Sequence, residues 1–305
     1  VKNSDLYDIA SITKIAATTT IVMQMVEEGK IDINKKISDY IELPDTTGKE
    51  NIVIKDMLAH HAGLWPWIPF YIETLEDDKS LKSDVYKNEK SKEFPIVVCN
   101  DLYCSFVYQD SILHQIHYSK MRDKTDYKYS DLGFYYMKLI IEEIYQRPLD
   151  ELADEMVFKP LSMNKTTYKP LENGFKLNEI VPTETDKAFR GKTIHGFVHD
   201  PGAAMMGGVG GHAGVFSNAN DLAKYMQMLL NNGDYGGKHY LDSTTIKYFT
   251  TRHYDSRRGL GFDMADPERR WGSACESASL QSFGHTGFTG TMTFADPEND
   301  LLFLF

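Results

Sequence analysis

The sequence predicts an α/β fold in which an antiparallel sheet near the C-terminal end carries a large helical insertion. Two patterns lead there: helical spacing and cap residues occupy most of the middle, and strand-like runs collect after residue 258. No internal repeat is present, so 305 residues make one large domain or two smaller ones. The apolar share of 42% and charged share of 25% are those of an ordinary globular chain with a sizeable core.

The elements follow in order. Residues 1–10 read as an extended approach with Asn3, Ser4 and Asp5 as turn formers. Residues 11–28 are the clearest helix: Ser11 suits the N-cap, no Gly or Pro interrupts, and Gly29 stands where a left-handed C-cap belongs. Ile15, Ala16, Ala17, Ile21, Val22, Met23, Met25 and Val26 make it apolar nearly all round, which predicts burial. A polar Ser11 and Lys14 at the head of a buried helix therefore need a reason. Residues 52–60 predict a short helix leading into the Gly63 loop, and 65–128 predict short helices with long connections. Helices follow at 131–145 and 149–158, parted by Pro148. Residues 160–200 read as loops, 202–214 hold six glycines, and 221–231 and 243–251 are helical. Strands are predicted at 259–263, 290–294 and 301–305.

Composition narrows the function. A net charge of −11 disfavours a polyanionic partner, and no basic stripe argues for nucleic acid. No apolar run approaches the roughly 20 residues of a membrane-spanning helix. Cys99, Cys104 and Cys275 match no zinc spacing and read as free thiols with at most one disulfide, so neither a metal nor a cofactor is expected.

Three short motifs carry chemistry. Ser11 and Lys14 are three apart and share a helix face, so the amine can reach the hydroxyl. A serine needs a neighbouring base to become a nucleophile, and the helix start supplies free N–H groups for an oxyanion. Taken alone, the pair reads rather as a helix cap followed by a solvent-seeking lysine. Tyr129-Ser130-Asp131 precedes a helix, where a tyrosine could pass a proton between nucleophile and leaving group, or simply pack in the core. Gly284-His285-Thr286-Gly287 reads as strand backbone that approaches something closely, or as a glycine-rich turn.

Together and in this order, Ser-x-x-Lys, Tyr-x-Asp and His-Thr-Gly resemble the three motifs of the penicillin-recognising serine hydrolases, in the branch of the class C β-lactamases, D-aminopeptidases and esterases. Residues 7–14 (YDIASITK), 26–32, 58–64 (LAHHAGL) and 210–217 (GGHAGVFS) extend the resemblance over essentially the whole chain. Residues 198–204, 257–263 and 282–287 most resemble a subset, as in Bacteroidetes proteins, in which the module follows a family 3 glycoside hydrolase in one polypeptide.

The resemblance implies a serine β-lactamase-like (DD-peptidase/transpeptidase-like) α/β fold, with an antiparallel sheet flanked by helices and a large helical subdomain. Residues 1–305 would be one such domain, truncated at both ends and lacking the first strands and last helix. Its sheet-associated part would be about 1–45 and 252–305, and its helical, loop-rich part about 46–251. The resemblance further implies an acyl-enzyme at Ser11, Lys14 as its base and Tyr129 as proton shuttle. Asp131, His285, Thr286, Gly287 and Phe288 would bind substrate or the oxyanion, the Phe288 N–H joining that of Ser11. An extracytoplasmic location is implied, and an upstream glycosidase domain would be a partner within the same polypeptide.

Two departures narrow the substrate. Asp131 stands where many members carry Asn; it can pair with Lys14, raise that lysine's pKa and shift proton transfer toward Tyr129. His285 replaces the lysine of β-lactamases and is expected to be only partly charged near neutral pH. Both point away from β-lactams and toward a small ester or a D-amino-acid, peptidoglycan-type peptide. The alternative is a catalytically silent binding module accessory to a β-N-acetylhexosaminidase-type glycosidase. His60, His61, His114 and His117 lack metalloprotease spacing and read as loop or surface histidines. His199-Asp200 suggests a Ser-His-Asp triad that the spacing does not support.

Overall fold

The computed structural model describes residues 2–44, 47–266, 268 and 274–305. Asp263–Met264, Phe283–Thr286, Met292–Asp296 and Leu301–Leu304 form a four-stranded sheet in sequential antiparallel order. Its register sets Gly284 opposite Phe294 and His285 opposite Thr293. The Ala219–Leu230 helix buries Leu222, Tyr225, Met226 and Leu229 in the core shared with this sheet. The Tyr7–Asp8 strand lies elsewhere: it pairs with Val215–Ser217, which pairs on its other side with Thr167–Tyr168. The approach to Ser11 is thus fixed by the glycine-rich segment that ends at residue 214.

The first helix runs in three registers: a 3-10 turn at Ala10–Ile12, a π segment at Lys14–Thr19 and an α segment at Thr20–Glu27. Ile12, Ile15, Ala16, Ile21, Val22, Met23 and Met25 are fully buried, as an all-round apolar helix requires. It ends on Gly29 at φ +67°, with the Lys30 N–H bonded to the Met25 carbonyl at 2.9 Å. Ser11 does not cap it. Ser11 lies inside the 3-10 turn, and its hydroxyl is engaged by other side chains. The π register lets the Ile15 carbonyl accept from Thr20 Oγ1 at 2.8 Å and Tyr225 OH at 2.9 Å, so an irregular helix start is tied into the core.

Helices at Ile54–Leu58, Leu132–Tyr145, Leu149–Ala153 and Ser243–Phe249 fall within the predicted segments. Residues 65–128 differ from the expectation of short helices alone. They hold a sheet of Tyr86–Lys87, Ile96–Cys99 and Leu102–Cys104, then a twelve-residue helix at Val107–Tyr118. Cys99 and Cys104 are both buried free thiols there, and Cys275 is exposed and free. Among the described residues no helix is long and apolar enough to cross a membrane.

Candidate active site

Three elements converge on Ser11. The first is its own helix start. Ala10 sits at φ +44°, unfavourable for a residue with a Cβ, and Asp8 offsets this by accepting the Ala10 N–H at 2.8 Å. The other Asp8 oxygen accepts the His199 N–H at 2.6 Å, and the Asp8 carbonyl accepts Thr289 Oγ1 at 2.6 Å. One residue thus ties the approach to Ser11 to the 199–200 loop and to the end of the sheet.

The second element is the segment before the Leu132–Tyr145 helix. Lys14 Nζ lies 2.9 Å from Ser11 Oγ and 2.6 Å from Asp131 Oδ1, and it also donates to the His212 carbonyl at 3.1 Å. Tyr129 OH lies 2.8 Å from Ser11 Oγ. The predicted Ser11, Lys14, Tyr129 and Asp131 therefore form one cluster, with Lys14 fully buried. Burial alone would lower the Lys14 pKa, but the Asp131 carboxylate and the Tyr129 hydroxyl outweigh it and hold the ammonium above the usual lysine range. Burial raises Tyr129 as well; Lys14 and Arg258 offset this only in part, and Asp131 adds to it. At neutral pH the resting site contains an ammonium and a neutral phenol.

The third element is the end of the Phe283–Thr286 strand. Gly287 has no room for a side chain: a Cβ there would stand 2.2 Å from Thr291 Oγ1 and 2.6 Å from the Ile9 carbonyl. The strand end thus lies directly against the residues leading to Ser11. Phe288 follows, 83% exposed, its ring 5.3 Å from that of His199. Among the described residues, no protein acceptor engages the Ser11 or the Phe288 amide N–H.

His285 corrects an expectation. It is 2% exposed, and Arg258 Nη1 lies 3.2 Å from its Nε2. Arg258 can only donate, so Nε2 accepts and the ring proton sits on Nδ1, 2.7 Å from the Thr286 carbonyl. Burial, with Arg258 and Lys14 nearby, holds His285 well below the usual histidine range. It is neutral at pH 7, not partly charged. The cation at this end of the site is Arg258, buried beside Tyr127 OH at 3.2 Å, 5.0 Å from the Tyr129 ring and ion-paired at 3.7 Å to Asp263.

Sequence reasoning also missed a buried pair behind Lys14. His212, whose carbonyl receives Lys14, bonds through Nε2 to Asp200 Oδ1 at 2.9 Å and stacks on Tyr135 at 4.4 Å. Burial would raise Asp200, yet His212, the Ala203 N–H and Lys14 bring it down to about 2. His199 and Asp200, neighbours in sequence, are not paired with each other: His199 pairs with Glu184 at 2.9 Å, and Asp200 with His212, whose carbonyl accepts from Lys14. His60, read as a loop or surface histidine, is 3% exposed. Arg258 and His60 lie in the segments 257–263 and 58–64 that share the family resemblance, but their place beside Tyr129 shows only in the structure.

Residues 1–305 match the family model described as Beta-lactamase. The chain is 34% identical over 314 residues to a protein of Escherichia coli K12 named putative D-alanyl-D-alanine carboxypeptidase, covering 97% of this chain and 67% of that one. A Salmonella gallinarum protein of the same name is 33% identical, with the same coverage. Among solved structures, EstCE1, a hydrolase with promiscuous acyltransferase activity, matches with a TM-score of 0.68 at 16% identity, over 100% of this chain and 80% of that one. An octameric penicillin-binding protein homologue from Pyrococcus abyssi matches at 0.66 and 18% identity, over 99% of this chain and 61% of that one. These two structures speak to the fold: the β-lactamase-like architecture of helices and antiparallel sheet expected from the motifs is the one present. The match along its full length and the kinship with the carboxypeptidases place this chain in the beta-lactamase family of serine hydrolases.

Proposed function

We propose that this chain hydrolyses an ester or amide bond through an acyl-enzyme at Ser11, acting on a D-amino-acid, peptidoglycan-type peptide in preference to a β-lactam. One observation carries the reading: Ser11 Oγ sits between Lys14 Nζ at 2.9 Å and Tyr129 OH at 2.8 Å. Lys14, kept protonated by Asp131, cannot serve as the resting base. Tyr129 is also protonated, and a neutral phenol is a poor base but a competent relay. As Ser11 Oγ bonds to the carbonyl carbon, its proton passes to the Tyr129 oxygen while the Tyr129 proton passes to the leaving nitrogen or oxygen. No phenolate accumulates. The Lys14 ammonium stabilises charge on Oγ, and the Ser11 and Phe288 N–H groups receive the carbonyl oxygen. Water reverses the sequence to release the acid.

The carboxypeptidase relatives favour a peptide ending in a carboxylate. A small ester is the second reading, favoured by the likeness to EstCE1. A single-domain organisation, an extracytoplasmic location and an upstream family 3 glycosidase remain part of the proposal; one hydrophobic cluster joining the helical part to the sheet supports the first. Purified protein incubated with a peptide ending in D-alanyl-D-alanine should release D-alanine, and should turn over a chromogenic cephalosporin far more slowly. The reverse preference would overturn the substrate assignment. Absence of any Ser11-dependent turnover would favour a binding module instead.

A further inference from the structure

His60 has no place in the motif chemistry, yet it is built into the site. It is buried at φ +61°, in the left-handed region that few residues other than Gly adopt and that Asn, Asp and His enter most readily. Its carbonyl accepts the Lys128 N–H at 3.0 Å, and its Nδ1 accepts the Ser130 N–H at 3.1 Å. These are the residues on either side of Tyr129. Its ring lies 4.6 Å from the Tyr129 ring and 5.8 Å from Phe134. The loop that follows completes the cradle: the Trp65 carbonyl accepts Ser130 Oγ at 2.6 Å, and the Pro66 carbonyl accepts the Asp131 N–H at 2.9 Å.

The tautomer follows from the geometry. Nδ1 receives an N–H, so it carries no proton, and the ring proton sits on Nε2. The charged or titratable groups around the ring are Tyr129, Arg258, Lys14 and His285; burial, with Arg258 and Lys14, keeps it neutral. Nε2 is buried with no hydrogen-bond partner among the described residues, which is unfavourable. A phenyl ring would fill the same space without that penalty but could not accept from Ser130. The unpaired donor is the cost of having the acceptor.

We propose that His60 is the positioning residue for Tyr129: it clamps the backbone on both sides of the tyrosine and backs its ring, keeping the hydroxyl on Ser11 Oγ. The inference rests on the reading of Tyr129 as the proton relay. A relay must hold its oxygen within hydrogen-bond reach of both Ser11 and the leaving group, and small misplacements of a catalytic group cost on the order of 100-fold.

The test uses His60→Phe, which keeps a ring and loses the acceptor, and His60→Asn, whose Oδ1 falls near the Nδ1 position and which tolerates positive φ. Each is measured for kcat and KM on p-nitrophenyl acetate and for thermal midpoint, alone and combined with Tyr129→Phe. We expect His60→Phe to lose roughly 10- to 100-fold in kcat with KM nearly unchanged, and His60→Asn to recover most of it. In the Tyr129→Phe background, already slow, His60→Phe should cost little more. Full additivity in the double variant, or a His60→Phe enzyme within two-fold of wild type, would overturn the positioning role alone. Wild-type kcat in Tyr129→Phe would overturn the relay reading and this inference with it. If both His60 variants lose kcat only in proportion to a lowered melting midpoint, His60 is merely structural and the inference fails.

Discussion

Replacing Asp131 by Asn removes the charge that holds Lys14 protonated while leaving the shape of the site. Lys14 is fully buried and Asp131 is 19% exposed, their atoms 2.6 Å apart. Removing one partner of such a pair typically costs about 3–5 kcal/mol, because the other charge is left uncompensated. At about 2.1 cal/mol/K per residue, 305 residues give an unfolding entropy of about 0.64 kcal/mol/K, so a loss of about 4 kcal/mol lowers the melting midpoint by about 6 °C. The pH dependence is more diagnostic. In the wild type the folded Lys14 pKa lies above its unfolded value, so its contribution is complete below the unfolded pKa of about 10.4 and is lost only as pH rises through the higher folded value. In Asp131→Asn burial acts without its main opponent, the folded pKa falls below the unfolded one, and stability increases as pH rises toward about 10. Thermal melts of both proteins at pH 7 and pH 9.5 measure this directly. The gap between them should narrow at the higher pH. A gap that is absent at pH 7, or unchanged with pH, would show that Asp131 does not set the charge of Lys14.

Other outcomes follow from the same geometry. Gly287→Ala places a methyl group 2.6 Å from the Ile9 carbonyl and 2.2 Å from Thr291 Oγ1, so labelling of Ser11 by a fluorophosphonate should fall at least about 10-fold with little change in fold by circular dichroism. Because His285 is neutral and Lys14 and Tyr129 are both raised, kcat/KM should be flat from about pH 6.5 to 9; an inflection near pH 6.5 that disappears in His285→Gln would contradict this. Asp200, lowered from 3.8 to about 2, contributes about 2 kcal/mol above pH 4 that is lost as pH falls toward 2. Acid denaturation of Asp200→Ala should lack that part of the wild-type curve, and its stability at pH 7 should be lower by about 2–3 kcal/mol.

The parts of this molecule that can be read from its sequence are those encoded by short-range pattern. Ser11 and Lys14 are one helical turn apart, and Tyr129 and Gly287 announce themselves by their neighbours. The Leu132–Tyr145 and Ala219–Leu230 helices have regular apolar spacing and lie close to their predicted bounds. The hairpin at 96–104 escaped notice because its strands are four and three residues long, set between charged loops and too short for a period to show. The strand expected at 259–263 is shifted to Asp263–Met264, since Gly261 adopts φ +82° and the chain turns there. Ser11 has the composition of an N-cap, but the 3-10 and π registers turn its hydroxyl to Lys14 and Tyr129 instead. His60 and Arg258 are buried polar groups that bond to Ser130 and Tyr127, 70 and 131 residues away, and the buried Asp200–His212 pair sits against Lys14, 198 residues from His212. Local propensity carries no trace of such contacts. The same applies to His285, whose charge state is set by its burial together with Arg258, 27 positions away in sequence.

The proposed hydrolysis passes through a covalent intermediate at Ser11. The most direct measurement is the intact mass of the protein, quenched during turnover of a slow ester or after a fluorophosphonate, followed by mapping of the modified peptide. One adduct is expected, on the peptide containing Ser11, absent from Ser11→Ala and slow to form in Tyr129→Phe. Turnover with no adduct, or an adduct on any other residue, would contradict it.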